Sequence, residues 1–185
     1  RKRATSLNIH LTSPTSSTWR SADALLLSPG IPPNHPIPAA AQKHGQLIFG
    51  DIELFSENVS QGTIIGITGT NGKSTTASLI FHILKSSGLP VQIGGNFGPA
   101  ALGLRPPVPG EIIVLELSSY QLELTRKAKF DIAVVLNVTP DHIERHGSME
   151  RYVAAKKQIF RHDTLSIRKA VIGIDDIHGQ RFQKE

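Results

Sequence analysis

This chain of 185 residues contains no cysteine, so it has no disulfide framework and cannot bind a metal through thiolates. Aromatic residues make up only 5% of it, and the basic residues are scattered rather than clustered. Because nucleic-acid-binding surfaces combine clustered Lys and Arg with aromatics, we expect no nucleic-acid partner despite the formal net charge of +5. No apolar run approaches the roughly 20 residues that cross a bilayer, so no membrane association is expected.

Methionine is also scarce: the only one in the chain is Met149, and the first residue is Arg1. The basic start is not followed by the apolar stretch of a signal peptide. We therefore interpret the sequence as a segment of a longer protein, and the lack of cysteine fits a cytoplasmic one. A hydrophobic content of 39% is ordinary for a globular protein, and the length suits one domain plus part of another.

The first 60 residues carry weak structural signals. Residues 1–24 are polar and rich in Ser and Thr, which predicts a loop. The apolar run 24–27 predicts a buried strand that ends in the turn Ser28-Pro29-Gly30. Four prolines between positions 32 and 38 predict a non-helical stretch. We expect three short elements after it: a helix at 39–44, a strand at 46–49 and a helix at 51–57.

From residue 63 onward the sequence alternates between strand and helix patterns. The run 63–67 is continuously apolar, which is typical of a parallel strand buried on both faces. Further strands are predicted at 91–93, 112–115, 132–136 and 170–174, and helices at 74–87 and 149–161. This alternation predicts a doubly wound, mostly parallel α/β domain. In such sheets ligands bind beyond the carboxyl ends of the strands.

A glycine-rich loop joins the first of these strands to its helix and reads Gly69-Thr70-Asn71-Gly72-Lys73-Ser74-Thr75. Glycines let backbone N–H groups converge on phosphate oxygens, and the helix N-terminus adds partial positive charge. Lys73 is expected to reach the phosphates and the Ser74 hydroxyl to bind Mg²⁺. The usual phosphate-loop pattern has a glycine where this chain has Ile67. We predict a nucleotide site over residues 69–75, with a plain strand–helix turn as the alternative.

Polar residues follow other predicted strands. Glu116 ends one strand, where a carboxylate can hold Mg²⁺ beside a nucleotide, although a solvated strand-end residue would look the same. His142 follows the strand at 132–136, where a neutral imidazole can bind metal or simply pack. Asn96 lies among glycines in a stretch that favours a turn.

A lysine falls on the apolar face of the predicted helix at 149–161. That face is formed by residues at helical spacing: Met149, Tyr152, Val153, Ile159 and Phe160. Lys156 shares the face, whereas Lys157 does not. The ammonium could reach water along its own side chain. If it is desolvated instead, its pKa is lowered and the neutral amine can add CO₂ to form a carbamate.

Several of these segments resemble the Mur ligases, which join a carboxylate to an amine at the expense of ATP. The resemblance lies in the loop 69–74, the stretch 137–142 and the run 152–156, and the loop is also similar to that of folylpolyglutamate synthetases. The run Leu-Ser-Ser-Tyr-Gln-Leu-Glu at 117–123 resembles the family branch that adds D-glutamate. Segments 27–32 and 50–55 (Gly-Asp-Ile-Glu-Leu-Phe) are similar to the same branch.

The resemblance implies a ligase of bacterial cell-wall synthesis that joins D-glutamate to UDP-N-acetylmuramoyl-L-alanine through an acyl phosphate. It implies catalytic roles for Lys73, His142 and Lys156. Two Mg²⁺ ions are expected, one held by Ser74 and Glu116 and the other by His142 and carbamylated Lys156. The residues implied in substrate binding are Ser28, Pro29, Gly30, Asn96 and Ser118.

The resemblance also implies a domain layout. Residues 1–60 would be part of an N-terminal UDP-binding α/β domain, and residues 61–185 a truncated central ATP-binding domain. The C-terminal domain that binds the amino acid would lie outside the chain, and a monomer is expected. Two alternatives stay open: a Mur-type ligase for another amino acid, and a non-catalytic ATP-binding remnant of such an enzyme.

Overall fold

The computed structural model describes residues 17–32, 34–160 and 169–184. Three positions or stretches named above lie outside these ranges: residues 1–16 of the predicted loop over 1–24, the proline at position 33, and the last residue of the predicted helix 149–161. The described strands form two sheets, and every strand pairing in them is parallel. The strands are β1 (Ala24–Leu26), β2 (Leu47–Phe49), β3 (Thr63–Thr68), β4 (Val91–Gly95), β5 (Ile112–Glu116), β6 (Ile132–Val135) and β7 (Lys169–Ile172).

The larger sheet has five strands in the order β4-β5-β3-β6-β7. In its register Ile67 of β3 lies opposite both Glu116 of β5 and Val134 of β6. The central strands are continuously apolar because helices cover both of their faces. The carboxyl ends of the strands therefore meet at one edge, which confirms the predicted doubly wound parallel architecture.

The smaller sheet pairs only β1 with β2. A strand at 24–27 was predicted to be buried, but Leu26 of β1 and Leu47 of β2 are 47% and 62% exposed. The strand itself is confirmed and its burial is not, because Leu27, just beyond β1, is the residue of that run that enters the core. A two-stranded sheet has too few neighbours to cover both of its faces.

The helices are short apart from the one that follows the glycine-rich loop. They are α1 (Pro36–Lys43), α2 (Asp51–Asn58), α3 (Lys73–Ser86), α4 (Ser119–Glu123), α5 (Ile143–His146), α6 (Met149–Lys157) and α7 (Ile177–Lys184). The part of the chain that the structure describes also has three 3-10 turns, at Ser17–Ser21, Ala101–Gly103 and Gln158–Phe160. Within the described ranges, no helix is long and apolar enough to cross a membrane.

The prediction that the prolines before residue 39 exclude a helix was wrong for two of them. Helix α1 begins at Pro36, and Pro38 also lies in its first turn. The N–H groups of a first helical turn have no partner inside the helix, so a missing N–H costs little there. The His35 side chain accepts a hydrogen bond from the backbone N–H of Ile37 and caps this start.

Two hydrophobic clusters sandwich the larger sheet. One contains Ile65 and Ile67 of β3 packed against Ala77 of α3. The other holds Ile64 of β3, and helices α2, α4 and α6 contribute Ile52, Phe55, Leu122 and Tyr152 to it. Alternate residues of a strand point to opposite faces, which explains this division. Helix α2 thus packs on the same sheet as the glycine-rich loop.

Candidate functional site

The glycine-rich loop connects β3 to α3 at the carboxyl edge of the larger sheet. Gly72 caps the helix with φ 82°, a left-handed conformation that glycine adopts without steric cost. Within the described residues, the backbone N–H groups of positions 72–75 make no hydrogen bond to a protein acceptor. These free donors and the positive end of the helix dipole form a site for an anion such as phosphate.

Asn137, just after β6, holds this loop in shape. Its Oδ1 accepts hydrogen bonds from the backbone N–H groups of Thr70 at 3.1 Å and Asn71 at 2.9 Å, and its Nδ2 donates to the Asn71 carbonyl at 3.1 Å. A side chain bonded three times to one loop fixes that loop before any ligand arrives. Asn137 lies in the family-like stretch 137–142, but its contact with the loop is not predictable from the sequence.

Lys73 and Lys156 converge on a single carbonyl of the loop. The Lys73 Nζ donates to the carbonyl oxygens of Gly69 at 3.0 Å and Thr70 at 2.9 Å. The Lys156 Nζ donates to the same Gly69 oxygen at 2.7 Å. Two lysine side chains beside one neutral oxygen create a strongly positive centre next to the free N–H groups. The structure therefore brings together residues from the loop and from α6.

Lys156 is only 1% exposed, so its ammonium does not reach water along the side chain. Burial, with repulsion from Lys73 as the second cause, lowers the pKa of Lys156 to about 7, and Asp141 partly opposes this shift. The Nζ also lies 4.7 Å from the centre of the Tyr152 ring. A lysine with this pKa is neutral in a substantial fraction of molecules near pH 7 and can act as a nucleophile.

Glu116 ends β5 beside the loop and is 2% exposed. Its Oε1 accepts a hydrogen bond of 2.9 Å from the Asn96 Nδ2, so two predicted site residues touch each other. Within the described residues its Oε2 is buried and lacks a hydrogen-bond partner. A buried carboxylate oxygen without a donor is costly unless a cation binds it, which fits a metal ligand.

His142 precedes α5 in a left-handed conformation with φ 52°, which is unusual for a residue other than glycine. Its Nε2 lies 3.5 Å from the Asp141 Oδ2, and its ring centre lies 5.0 Å from that of Tyr120. The side chain is 46% exposed, which leaves the imidazole accessible to a ligand. Asp141, which neighbours His142 and acts on Lys156, was missed as a candidate in the sequence.

Metal binding by these side chains alone would be incomplete. The described residues contain no group of three or more His, Asp or Glu side chains that could hold an ion. Mg²⁺ commonly takes one or two protein carboxylates and completes its shell with water and phosphate oxygens. The sparse ligand set of Glu116, Ser74 and His142 therefore fits Mg²⁺ that binds together with a phosphate.

His146 and Tyr152 connect the surrounding elements through contacts that sequence patterns do not predict. The Tyr152 hydroxyl lies 3.0 Å from the Thr70 Oγ1 of the loop. The imidazole of His146, 4% exposed, packs against the Tyr152 ring in a tilted arrangement with ring centres 5.4 Å apart, and its Nε2 lies 3.0 Å from the Ser119 Oγ. Burial, followed by repulsion from Arg145, lowers the pKa of His146, which favours the neutral imidazole.

The proposed substrate residues fall into two places. Ser118 caps α4, directly after the strand that carries Glu116, and its Oγ accepts a hydrogen bond from the Gln121 N–H at 3.2 Å. Ser28, Pro29 and Gly30 form the turn after β1 in the smaller sheet. Within the described residues no hydrogen bond joins that turn to the glycine-rich loop.

Comparison with known proteins gives a consistent picture. Residues 67–185 match the family pattern described as the Mur ligase middle domain. The UDP-N-acetylmuramoylalanine--D-glutamate ligase of Phenylobacterium zucineum (strain HLK1) is 47% identical over 100% of this chain and 41% of its own length. The enzyme of the same name from Rhodospirillum rubrum is 50% identical over 82% of this chain and 33% of its own. This chain thus spans well under half of these relatives.

Solved structures agree on the fold. One of them is the UDP-N-acetylmuramate:L-alanyl-gamma-D-glutamyl-meso-diaminopimelate ligase from Neisseria meningitides. The superposition covers 100% of this chain and 63% of the length of that protein, with a TM-score of 0.63 at 18% identity. The MurF ligase of Thermotoga maritima, solved in complex with ADP, covers 89% of this chain and 39% of its own, with a TM-score of 0.55 at 25% identity.

Proposed function

This chain belongs to the Mur ligase family, and we propose that it forms part of an ATP-dependent ligase that joins D-glutamate to UDP-N-acetylmuramoyl-L-alanine in peptidoglycan synthesis. The relatives with 47% and 50% identity carry the name of that activity. The observation that carries the proposal is the convergence of the Lys73 and Lys156 amines on the Gly69 carbonyl, beside the free N–H groups of the loop.

The chemistry needs such a centre because a carboxylate is a poor electrophile. In the proposed reaction a carboxylate oxygen of the alanyl group attacks the γ-phosphorus of ATP, the bond to the bridging oxygen breaks, and ADP leaves. The D-glutamate amine then attacks the acyl carbon of the acyl phosphate, loses a proton and releases phosphate. Positive charge around the transferring phosphoryl group stabilises this transition state, and Lys73 would supply it.

Two Mg²⁺ ions would add charge at the phosphate oxygens. Ser74 and Glu116 would hold one of them, and the unpartnered Oε2 of Glu116 supports this assignment. His142 and a carbamylated Lys156 would hold the other. The neutral Lys156 amine would attack the carbon of CO₂ and lose a proton, which replaces a cation by an anionic ligand and removes the repulsion from Lys73.

The remaining assignments are also proposals. Asn96 and Ser118 would contact the muramoyl part of the substrate, and the Ser28-Pro29-Gly30 turn its UDP part. Residues 1–60 would belong to the UDP-binding domain and residues 61–185 to the ATP-binding domain, and the D-glutamate site would lie outside this chain. We propose a cytoplasmic monomer for the complete enzyme.

Calorimetry of Mg·ATP binding to this chain tests the nucleotide site. We expect binding by the wild type and a loss of about 10- to 100-fold in affinity for Lys73→Ala, because a charged donor to phosphate is removed. Lys85→Ala, an exposed lysine at the far end of the same helix, is the control and should bind as the wild type does. Equal affinity of all three would reject the assigned role of Lys73.

Ligation in the complete protein tests the reaction and its alternatives. Lys73→Ala should abolish ATP-dependent ligation, and a panel of amino acids should show D-glutamate as the preferred acceptor. Preference for another amino acid would favour a different Mur-type ligase. ATP binding without ligation of any amino acid would favour a non-catalytic remnant.

The carbamate has its own test in the complete protein. Lys156→Ala should lose activity, and added short carboxylates should partly restore it because they can occupy the vacated ligand position. Depletion of CO₂ should lower the activity of the wild type. If neither treatment changes activity in the wild type or the variant, Lys156 is not carbamylated.

A further inference from the structure

The segment Gly-Asp-Ile-Glu-Leu-Phe at 50–55 has no role in the chemistry above. Side chains of α2, which begins in this segment, nevertheless form hydrogen bonds with residues 126–129, shortly after α4. Both carboxylate oxygens of Glu53 accept hydrogen bonds of 2.8–3.0 Å from the backbone N–H groups of residues 126–128. The Ser56 Oγ accepts another from the Lys129 N–H at 2.8 Å. The helix, including Asp51 at its first position, is therefore held in a defined place relative to α4.

Asp51 is bonded to a buried amide. The Gln121 side chain is 3% exposed, and its Nε2 donates to the Asp51 Oδ2 at 3.1 Å. A carboxylate can only accept, so it can be met only by the NH₂ end of the amide. This contact fixes which way the Gln121 amide points, with its Oε1 turned toward the start of α4.

The Gln121 Oε1 then meets two donors of the same residue. It lies 3.1 Å from both the backbone nitrogen and the Oγ of Ser118. The Ser118 Oγ in turn accepts from the Gln121 backbone N–H at 3.2 Å. A hydroxyl has one proton to donate and two lone pairs. Its proton and one lone pair are therefore used inside the protein, and one lone pair remains.

We propose that Asp51, acting through Gln121, presents the Ser118 hydroxyl to the substrate as a hydrogen-bond acceptor. The matching group is an N–H or O–H donor, of the kind that an amide or a sugar hydroxyl offers. Asp51 is thus a positioning residue that does not touch the substrate. This inference rests on the proposed function in so far as Ser118 binds substrate. The donor and acceptor directions within the Asp51–Gln121–Ser118 hydrogen-bond network do not depend on that function.

The first test of the Asp51–Gln121–Ser118 hydrogen-bond network is amide hydrogen exchange, measured by NMR on the protein without ligand. Asp51→Ala frees the Gln121 amide to turn its NH₂ end toward the Ser118 N–H, so exchange at Ser118 should accelerate by about fivefold or more, the equivalent of one hydrogen bond. Asp51→Asn, which keeps an acceptor oxygen, should restore slow exchange. Ser56→Ala removes a hydrogen bond of the same helix that is not part of the Asp51–Gln121–Ser118 network. It should leave the exchange rate of the Ser118 amide unchanged.

Two further measurements make the result decisive. In the wild type, the Gln121 side-chain amide protons should show nuclear Overhauser effects to the β-protons of Asp51, and effects to the Ser118 amide proton instead would overturn the proposal even if Asp51→Ala failed to fold. Calorimetry with UDP-N-acetylmuramoyl-L-alanine should then show about fivefold weaker binding for Asp51→Ala and less than about twofold change for Asp51→Asn and Ser56→Ala.

The outcomes separate the two proposals. Absence of substrate binding in the wild type, together with the expected exchange rates, would reject the function assigned to this site. The Asp51–Gln121–Ser118 hydrogen-bond network would still be supported. Unchanged exchange at Ser118 in Asp51→Ala would reject the positioning role whatever the substrate does. Unchanged substrate affinity in Asp51→Ala beside accelerated exchange would reject the role of the Ser118 acceptor in binding.

Discussion

Among the buried charged side chains of the described residues, Glu53 and Lys156 have surroundings that differ in kind. The Glu53 carboxylate on α2 is 5% exposed and accepts hydrogen bonds from three consecutive backbone N–H groups. The Lys156 ammonium on α6 is 1% exposed, donates to one carbonyl and shares that carbonyl with the Lys73 ammonium. The first charge is fully solvated by protein, and the second is placed beside a like charge.

The difference separates a structural charge from a functional one. A buried ion that is fully hydrogen-bonded holds its neighbours in place and is costly to remove. A buried cation held next to another cation destabilises the protein, and such arrangements persist where chemistry needs a shifted pKa. Substitution of the two residues should therefore change the free energy of unfolding in opposite directions.

The largest expected effect belongs to Glu53. Glu53→Ala leaves three N–H groups of the 126–128 segment without an acceptor and should lower the free energy of unfolding by about 3 to 5 kcal/mol. Urea denaturation measures it, with the exposed Glu57 of the same helix as the matched control in Glu57→Ala. A loss below about 1 kcal/mol would show that water replaces the carboxylate and that the contact is not structural.

Lys156→Met should act in the opposite sense and raise the free energy of unfolding near pH 7 in CO₂-depleted buffer. The pKa of Lys156 falls from 10.5 to about 7 on folding, so the charged form is destabilised in the folded state. After subtraction of the lost hydrogen bond, the gain should be on the order of 3 kcal/mol. Lys157→Met, at an exposed neighbouring position, is the control.

The lowered pKa of Lys156 also predicts how the free energy of unfolding changes with pH. Between pH 7 and 10.5 the unfolded chain binds more protons at Lys156 than the folded chain does, so wild-type stability should rise with pH across this window. Below pH 7 the full penalty is present. The difference between Lys156→Met and the wild type should therefore shrink as pH rises from 7 toward 10, and a constant difference would contradict the lowered pKa.

His146 should show a smaller effect. His146→Phe keeps the ring between Tyr120 and Tyr152 but loses the contact to the Ser119 Oγ, so we expect a loss of about 1 to 2 kcal/mol in unfolding free energy. A double-mutant cycle with Ser119→Ala measures the coupling. Strictly additive losses would mean that the two side chains do not interact.

The smallest effect sets the scale for an ordinary polar contact on the helix that carries Lys156. Ser148 caps α6 by accepting a hydrogen bond of 3.3 Å from the Arg151 N–H. Ser148→Ala should cost about 1 kcal/mol by thermal or urea unfolding. Ser60→Ala, an exposed serine outside any helix, should cost less than about 0.5 kcal/mol.

Much of the larger sheet could be predicted because local pattern and burial agree there. The apolar run of β3, the loop with its glycines and the helix that follows each have a sequence signal that tertiary contacts do not override. The placement of Lys156 on an apolar helix face was likewise readable, although the choice between burial and exposure was not. Short elements such as α4 and α5, at five and four residues, have too little periodicity to be recognised.

The sequence was sufficient to predict the alternating strands and longer helices of the larger sheet, the phosphate-type loop and the residue types available at the strand ends. Tertiary structure alone decided that Asn137 holds the loop, that Lys73 and Lys156 share the Gly69 carbonyl, and that Glu53 is bonded to residues more than seventy positions away. The physical reason is that hydrogen bonds and burial depend on distances between segments far apart in the chain, whereas periodicity and turn chemistry act among neighbours.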